Sequence, residues 1–274
     1  ARSSSMRNNT ISESRRWNYR QAWDLSGRAI LASTNDLVDQ WNADIQSRRC
    51  RLLAAAEGAS RNAGEIHTLR SADVLTECDD ERGHIRRMLT TEFLNSINRP
   101  GVPPHELKLA VGDICIVMRN LNKKGGLTNN RRVAVLAIQR SAVKVQTIGP
   151  NPKTFTLPRI RFKFRLPRGS FEMMRTQFPL RLAYCMTYNK SQGQELQAVL
   201  VDLRKPAFSH SHLYVALSRV RHRDGIAAFV SDDDVADSEV PFTLNIVYPD
   251  LLNHPRPTAK RDELNPPRQR VRVV

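Results

Sequence analysis

Apolar residues first cluster at Ala29-Ile30-Leu31-Ala32, a run of strand length. Ser33-Thr34-Asn35-Asp36 then supplies cap residues, and Leu37, Val38, Trp41 and Ile45 return at helical spacing. The pattern predicts strand, polar turn and helix, one α/β unit. Residues from Leu52 to Gly83 mix small and polar types and predict connecting structure. Around Glu92-Phe93-Leu94-Asn95 a helix is expected, ending before Pro100-Gly101, and Pro103-Pro104 forces a turn.

A strand is predicted over Leu109 to Met118, entered through Val111-Gly112-Asp113, with Ile114, Ile116 and Met118 on one face. Shorter apolar runs follow at Arg132 to Ile138, Val143 to Ile148 and Phe155 to Leu157, separated by Gly-, Asn- and Pro-containing turns. That spacing suggests a small β-barrel inserted in the α/β frame. Further strands are expected over Leu182 to Thr187, Gln197 to Leu203 and Ile226 to Val230, and a helix over Phe208 to Arg219. Its apolar side would hold Leu213, Ala216, Leu217 and Val220. Strands alternating with helices imply a mostly parallel sheet.

Composition adds one strong signal. The 274 residues carry a formal charge of +16, an excess usually neutralised by a polyanion. From Arg131 to Arg181 there are twelve Lys and Arg and a single acid, Glu172. Within that span Ile160, Phe162 and Phe164 alternate with Arg159, Arg161, Lys163 and Arg165. Cations lined along one strand face suit a nucleic acid; a solvated edge strand guarded against aggregation is the plainer alternative. The four cysteines are scattered without a C-x-x-C pair, which suggests neither a disulfide framework nor a zinc site. No run of 18 or more apolar residues exists to cross a membrane. The polar stretch before Arg20 begins at Ala1 and reads as a cut edge, a disordered arm or a transit-like segment, of which a cut edge is expected. From Pro249 on, five prolines and many arginines predict a disordered basic tail.

Three segments carry the candidate chemistry, in order: Tyr184 to Gln194, Val201-Asp202-Leu203, and Tyr214-Val215-Ala216-Leu217-Ser218-Arg219. The first is a strand running into a polar, Gly-containing loop at a helix start, where backbone N–H groups and short polar side chains converge on a phosphate. The last holds one arginine among small residues, free to neutralise a transferring phosphoryl group.

Together these segments resemble motifs V and VI of superfamily 1B DNA helicases of the PIF-type (petite integration frequency) and Helitron group. Ile30-Leu31-Ala32-Ser33-Thr34-Asn35 with Val38 and Asn42 is similar to the opening of that group's second RecA-like domain. Glu92 to Ile97, Pro103 to Leu107, Gly112 to Leu121, Gly126 to Asn129, Gln177 to Arg181 and Phe208-Ser209-His210 follow it too, so the resemblance covers roughly Arg28 to Val230. It implies an α/β fold: a RecA-like domain, 2A, over 28–110 and 173–248, with an SH3-like barrel, 2B, inserted over 111–172. The segments 1–27 and 249–274 fall outside it, as a disordered or truncated edge and a disordered basic tail.

The resemblance implies that Thr34, Asn35, Thr187, Asn189, Lys190, Ser191 and Gln192 bind single-stranded DNA, joined by Arg159, Arg161 and Lys163 from the basic strand. Gly193 and Glu195 would lie toward the nucleotide, and Arg219 would be the catalytic arginine reaching its γ-phosphate. Asn189 and Glu195 depart from the group, where many relatives have histidine and threonine. The implied cofactors are ATP and Mg²⁺, held mainly by a first RecA-like domain absent from this sequence. No G-x-x-x-x-G-K-[ST] loop occurs, and Asp202 is followed by Leu203 rather than an acid. The chain alone is therefore expected not to hydrolyse ATP, and its expected partners are single-stranded DNA and the first motor domain. No membrane or further protein partner is indicated, and the nucleus is the expected compartment, with the mitochondrion the alternative. His210-Ser211-His212 lacks the bulky apolar residue that replication-initiator nucleases place between two metal-binding histidines, so no metal site is expected. A non-catalytic nucleic-acid-binding remnant of a Helitron-like transposon is the rival reading.

Overall fold

A computed structural model describes residues 27–56, 64–78, 90–149, 151–165, 171–230, 242–246 and 268–272. Strand β1 (Arg28–Ala32) lies inside a parallel sheet of order β12-β1-β13-β14, with β12 at Cys185–Thr187, β13 at Ala198–Asp202 and β14 at Ile226–Phe229. Leu31, Val199 and Val201 are buried, as befits inner strands covered on both faces.

Helix α1 (Asn35–Ala54) packs on this sheet, and it runs well past the apolar pattern. Leu37 and Val38 are buried as the pattern requires, but the later buried positions are Asn42, Gln46, Arg49 and Cys50. Polar groups on a buried helix face are tolerated only when paired. Asn42 donates to the carbonyls of Leu182 (3.3 Å) and Cys185 (3.0 Å) and accepts from the Cys185 N–H at 2.9 Å. Gln46 donates to the Lys108 carbonyl at 3.1 Å.

Between α1 and β12 the chain builds an antiparallel layer. A five-stranded sheet has the order β11-β5-β6-β7-β8, from β5 (Ile114–Val117), β6 (Arg132–Ile138), β7 (Ala142–Thr147), β8 (Thr154–Pro158) and β11 (Leu180–Leu182). A three-stranded sheet joins β3 (Ala72–Cys78), β10 (Phe171–Gln177) and β9 (Ile160–Arg165), in the order β3-β10-β9. A third pair is β2 (His67–Arg70) with β4 (Glu106–Leu109). Strands from both sides of the 111–172 span thus enter this layer. Val133, Val135, Val143, Val145, Phe178 and Leu180, all fully buried, lie in the core of the five-stranded sheet. Helix α2 (Thr91–Ser96) is capped by Thr90, whose hydroxyl accepts from the Phe93 N–H.

Two buried ion pairs lock the layer. Asp113, fully buried, accepts from Arg49 (2.5 Å), Gln46 (2.5 Å), Tyr184 (2.9 Å) and the Ala110 N–H (2.7 Å). It ties α1 to β5 and to the approach to β12. Gly112 beside it has φ +83, and a Cβ there would stand 2.5 Å from Arg49 Nη2, so only glycine fits both demands. Arg175 binds Asp73 through Nε and Nη2 (2.9 and 2.7 Å), and the same guanidinium donates to the carbonyls of Pro103 and Leu94.

Several sequence expectations are corrected. The strand expected over Leu109 to Met118 is two strands, β4 and β5, because the Gly112 turn breaks it. That over Leu182 to Thr187 is likewise divided between β11 and β12, in different sheets. The Phe208 to Arg219 helix shrinks to α4 (His212–Leu217), opened by Ser211 in a left-handed conformation at φ +60, and Leu217 is exposed. The connecting stretch after Leu52 contains β2 and β3. Within the tail expected to be disordered, β16 (Arg268–Arg272) pairs antiparallel with β15 (Phe242–Ile246). The edge expected over 1–27 lies outside the described residues, apart from Gly27.

Candidate nucleic-acid and nucleotide interface

Strand register brings the candidate loops together. Ala32 pairs with Thr187 on one side and with Asp202 on the other, so β1, β12 and β13 end level. Thr34 and Asn35, the Thr187 to Gln194 loop and the Asp202 turn therefore share the carboxyl edge of the parallel sheet. The chain passes from β12 to β13 across β1, which makes this edge the crevice where open α/β sheets bind ligands.

Thr187 caps helix α3 (Tyr188–Ser191) by backbone geometry alone, leaving its side chain without a cap bond. Asn189 and Gln192 are exposed beside it. Lys190 is half-buried: burial, reinforced by the Arg181 cation and opposed by Asp39, pushes its pKa down to about 8. Arg181 itself is held by Asp39 at 2.6 Å. Thr34 stands at the α1 N-cap with its hydroxyl buried and unpartnered, next to exposed Asn35. Beside them opens a groove of about 450 Å³ between α1 and the 98–108 segment, lined in part by Asn35, Asp39, Arg99, Lys108 and Arg181.

Ser191 is a correction. Its hydroxyl is fully buried and donates its proton to the Tyr188 carbonyl at 2.7 Å, which leaves it no proton to offer a phosphate at the surface. Gly193 has φ +74 and makes the tight turn. Arg219 follows α4 and folds back over this turn, donating to the Ser191 (3.4 Å), Gln194 (3.5 Å) and Val215 (2.8 Å) carbonyls and to the Ser218 hydroxyl (2.8 Å). Loop and arginine form one hydrogen-bonded unit. Glu195 is exposed and pairs with Arg221, which holds its carboxyl below the ordinary range.

The basic strand lies apart, in the β3-β10-β9 sheet. The predicted alternation is present, with Phe162 and Phe164 buried and Arg161, Lys163 and Arg165 exposed. Like-charge repulsion is relieved on the neighbouring strand, where Glu172 meets Lys163 at 2.6 Å. Arg159 departs from a free cationic row: it donates to the Arg70 carbonyl (2.7 Å) and Gln177 (2.9 Å) and stacks over Phe178 at 4.5 Å.

Sequence reasoning missed the supporting residues. Asp202 accepts from Trp41 at 2.7 Å and from Arg204 at 2.6 Å; burial raises its pKa, but these bonds bring it below the ordinary value. Tyr188 donates to the Asp202 carbonyl at 3.2 Å, and His212 packs edge-on to Tyr188 and Phe208, joining α3 to α4. Trp41 is far from Asp202 in sequence and carries no motif of its own. Among the described residues, no group of three His, Cys, Asp or Glu is placed to hold a metal ion.

A family described as "DNA helicase Pif1, 2B domain" matches residues 92–138. The ATP-dependent DNA helicase PIF1 of Danio rerio is 31% identical over 145 residues, 48% of this chain and 20% of that protein. That of Emericella nidulans is 37% identical over 100 residues, 35% of this chain and 13% of that protein. The matched regions span about a fifth or less of these relatives. The crystal structure of Pif1 helicase from Candida albicans superposes with a TM-score of 0.51 at 22% identity, covering 77% of this chain and 49% of that one. At that identity the likeness speaks to the fold, a RecA-like frame with mixed sheets. The matching 2B segment, the relatives and the shared fold together make this chain similar to the PIF-type DNA helicases.

Proposed function

We propose that this chain is the second motor half of an ATP-dependent 5′–3′ DNA helicase, which binds single-stranded DNA and supplies an arginine in trans for ATP hydrolysis. The observation that carries the reading is the hydrogen-bonded unit of Arg219 with the Ser191 and Gln194 carbonyls. An arginine that neutralises the γ-phosphate and a loop that holds DNA are of use to a motor when they move together. Release of Arg219 toward a phosphate would take a donor away from two carbonyls of the DNA loop, so nucleotide state and DNA grip become coupled.

Thr187, Asn189, Lys190 and Gln192 take the strand, with Thr34 and Asn35 beside them on the same sheet edge. Gly193 keeps the turn tight, and Glu195 lies toward the nucleotide. Arg161 and Lys163 extend the track on the β9 face, with Arg159 bracing it from behind. The five-stranded sheet is the SH3-like 2B unit. ATP and Mg²⁺ are held by a first RecA-like domain; Asp202 is committed to Arg204 and Trp41, so no metal-binding acid is free on β13. Alone, the chain binds DNA without hydrolysing ATP, and the nucleus is its proposed compartment.

Fluorescence anisotropy with labelled oligothymidylate tests the DNA half of this reading. Binding should weaken steeply with salt, and Asn189→Ala with Lys190→Ala should lower affinity by roughly tenfold. Affinity unchanged in that double variant would remove the loop from the DNA site.

A further inference from the structure

From Ile114 to Phe171 the sequence contains thirteen Lys and Arg and no Asp or Glu. Only part of this charge belongs to the strand of the three-stranded sheet already described. In the five-stranded sheet, β7 buries Val143 and Val145 and turns Lys144 outward. Lys144 stands in register with Thr156 of β8 and Ala137 of β6, and Gln146 with Thr154 and Ala134. Exposed Arg140 lies in the turn before β7, and exposed Lys153 in the segment leading to β8. The outward face thus presents Lys144 among small and hydroxyl-bearing side chains, with exposed Arg140 and Lys153 flanking the strand ends. At about 3.4 Å per residue it runs for roughly 20 Å.

Two features specify the partner. No acid on β5 to β8 balances the charge, so the face fits a polyanion. Platforms for single strands pair their cations with aromatic rings on which bases stack. Here the sole aromatic of β6 to β8 is Phe155, which packs against the buried core. A face with cations and hydroxyls but no ring recognises phosphates rather than bases. It suits a double helix, whose bases are already stacked inside.

We propose that the outward face of β7 and β8, with Arg140, Lys144 and Lys153, binds the phosphate backbone of duplex DNA, separately from the Thr187–Gln194 loop. The choice of DNA over RNA rests on the function proposed above; the duplex preference rests on the face itself.

The test is anisotropy of the whole chain with a blunt duplex of roughly 20 base pairs and with oligothymidylate, each over a salt series. Combining Arg140→Glu, Lys144→Glu and Lys153→Glu should weaken duplex binding at least ~10-fold and flatten its log–log salt slope by about 2 to 3, near 0.9 per phosphate contact. Oligothymidylate affinity should stay within about twofold. The neutral set, Arg140→Gln, Lys144→Gln and Lys153→Gln, adds no repulsion between side chains and should flatten the slope similarly. Lys190→Ala should show the opposite pattern, so failure of the loop site and failure of this face are separable. Unchanged duplex affinity and slope, equal losses for both ligands, or tighter binding of an RNA duplex of the same sequence would overturn the proposal.

Discussion

Lys190 offers a quantitative handle on the DNA loop. Burial and the neighbouring Arg181 bring its pKa to about 8, while Asp39 restrains the shift. With that pKa the ammonium is roughly nine-tenths charged at about pH 7 and one-tenth charged at about pH 9. The sign follows: a lysine with a lowered pKa carries its charge below that value and loses it as pH rises through it. A phosphate selects the charged form, so the association constant for oligothymidylate should fall close to tenfold between those two pH values. That is about 1.4 kcal/mol of binding free energy. Anisotropy titrations at fixed ionic strength read it directly. Lys190→Arg keeps its charge throughout and should flatten the profile, which subtracts titration of the chain terminus and of other lysines. A wild-type profile as flat as that of Lys190→Arg would refute the placement of Lys190 on the DNA.

Asp113 should be the costliest single position of the insertion, because four donors converge on a fully buried carboxylate. Asp113→Ala leaves the buried Arg49 cation without its carboxylate, a loss of about 3–5 kcal/mol, which should appear as a drop in Tm of roughly 10 °C. A melting curve unchanged within a degree or so would contradict the role given to this hub. At Ser211 the sign reverses: φ is +60 at a non-glycine residue, so Ser211→Gly should stabilise by about 0.5–1 kcal/mol in denaturant titration. Destabilisation there would mean that the serine side chain holds the α4 start.

The frame was legible where apolar residues alone determine an element. Ala29 to Ala32 and Val199 to Val201 read as buried strands, and Phe162 and Phe164 gave the alternation of β9. The α1 face was legible only for its first turns, because Asn42, Gln46 and Arg49 are buried by pairing with backbone and Asp113 rather than by apolarity. Periodicity cannot distinguish such positions from solvent-facing ones. The strand breaks at Gly112 and between Leu182 and Cys185 were missed for a related reason, since each side is apolar and only the sheet partner changes. Within the candidate site, motif order pointed to the Thr187–Gln194 loop and Arg219, which hydrogen bonds then join. Burial of the Ser191 hydroxyl and the docking of Arg159 on Phe178 depend on three-dimensional neighbours that one sequence does not reveal.

The central claim is that Arg219 serves a nucleotide held by another domain. Joining the chain to a PIF-type first RecA-like domain with an intact phosphate loop, and measuring DNA-stimulated phosphate release, tests it most directly. The joined enzyme should turn over, this chain alone should not, and Arg219→Ala should cut turnover by about 10³-fold or more while oligothymidylate affinity stays within about twofold. Wild-type turnover in Arg219→Ala, or hydrolysis by the chain alone, would contradict it.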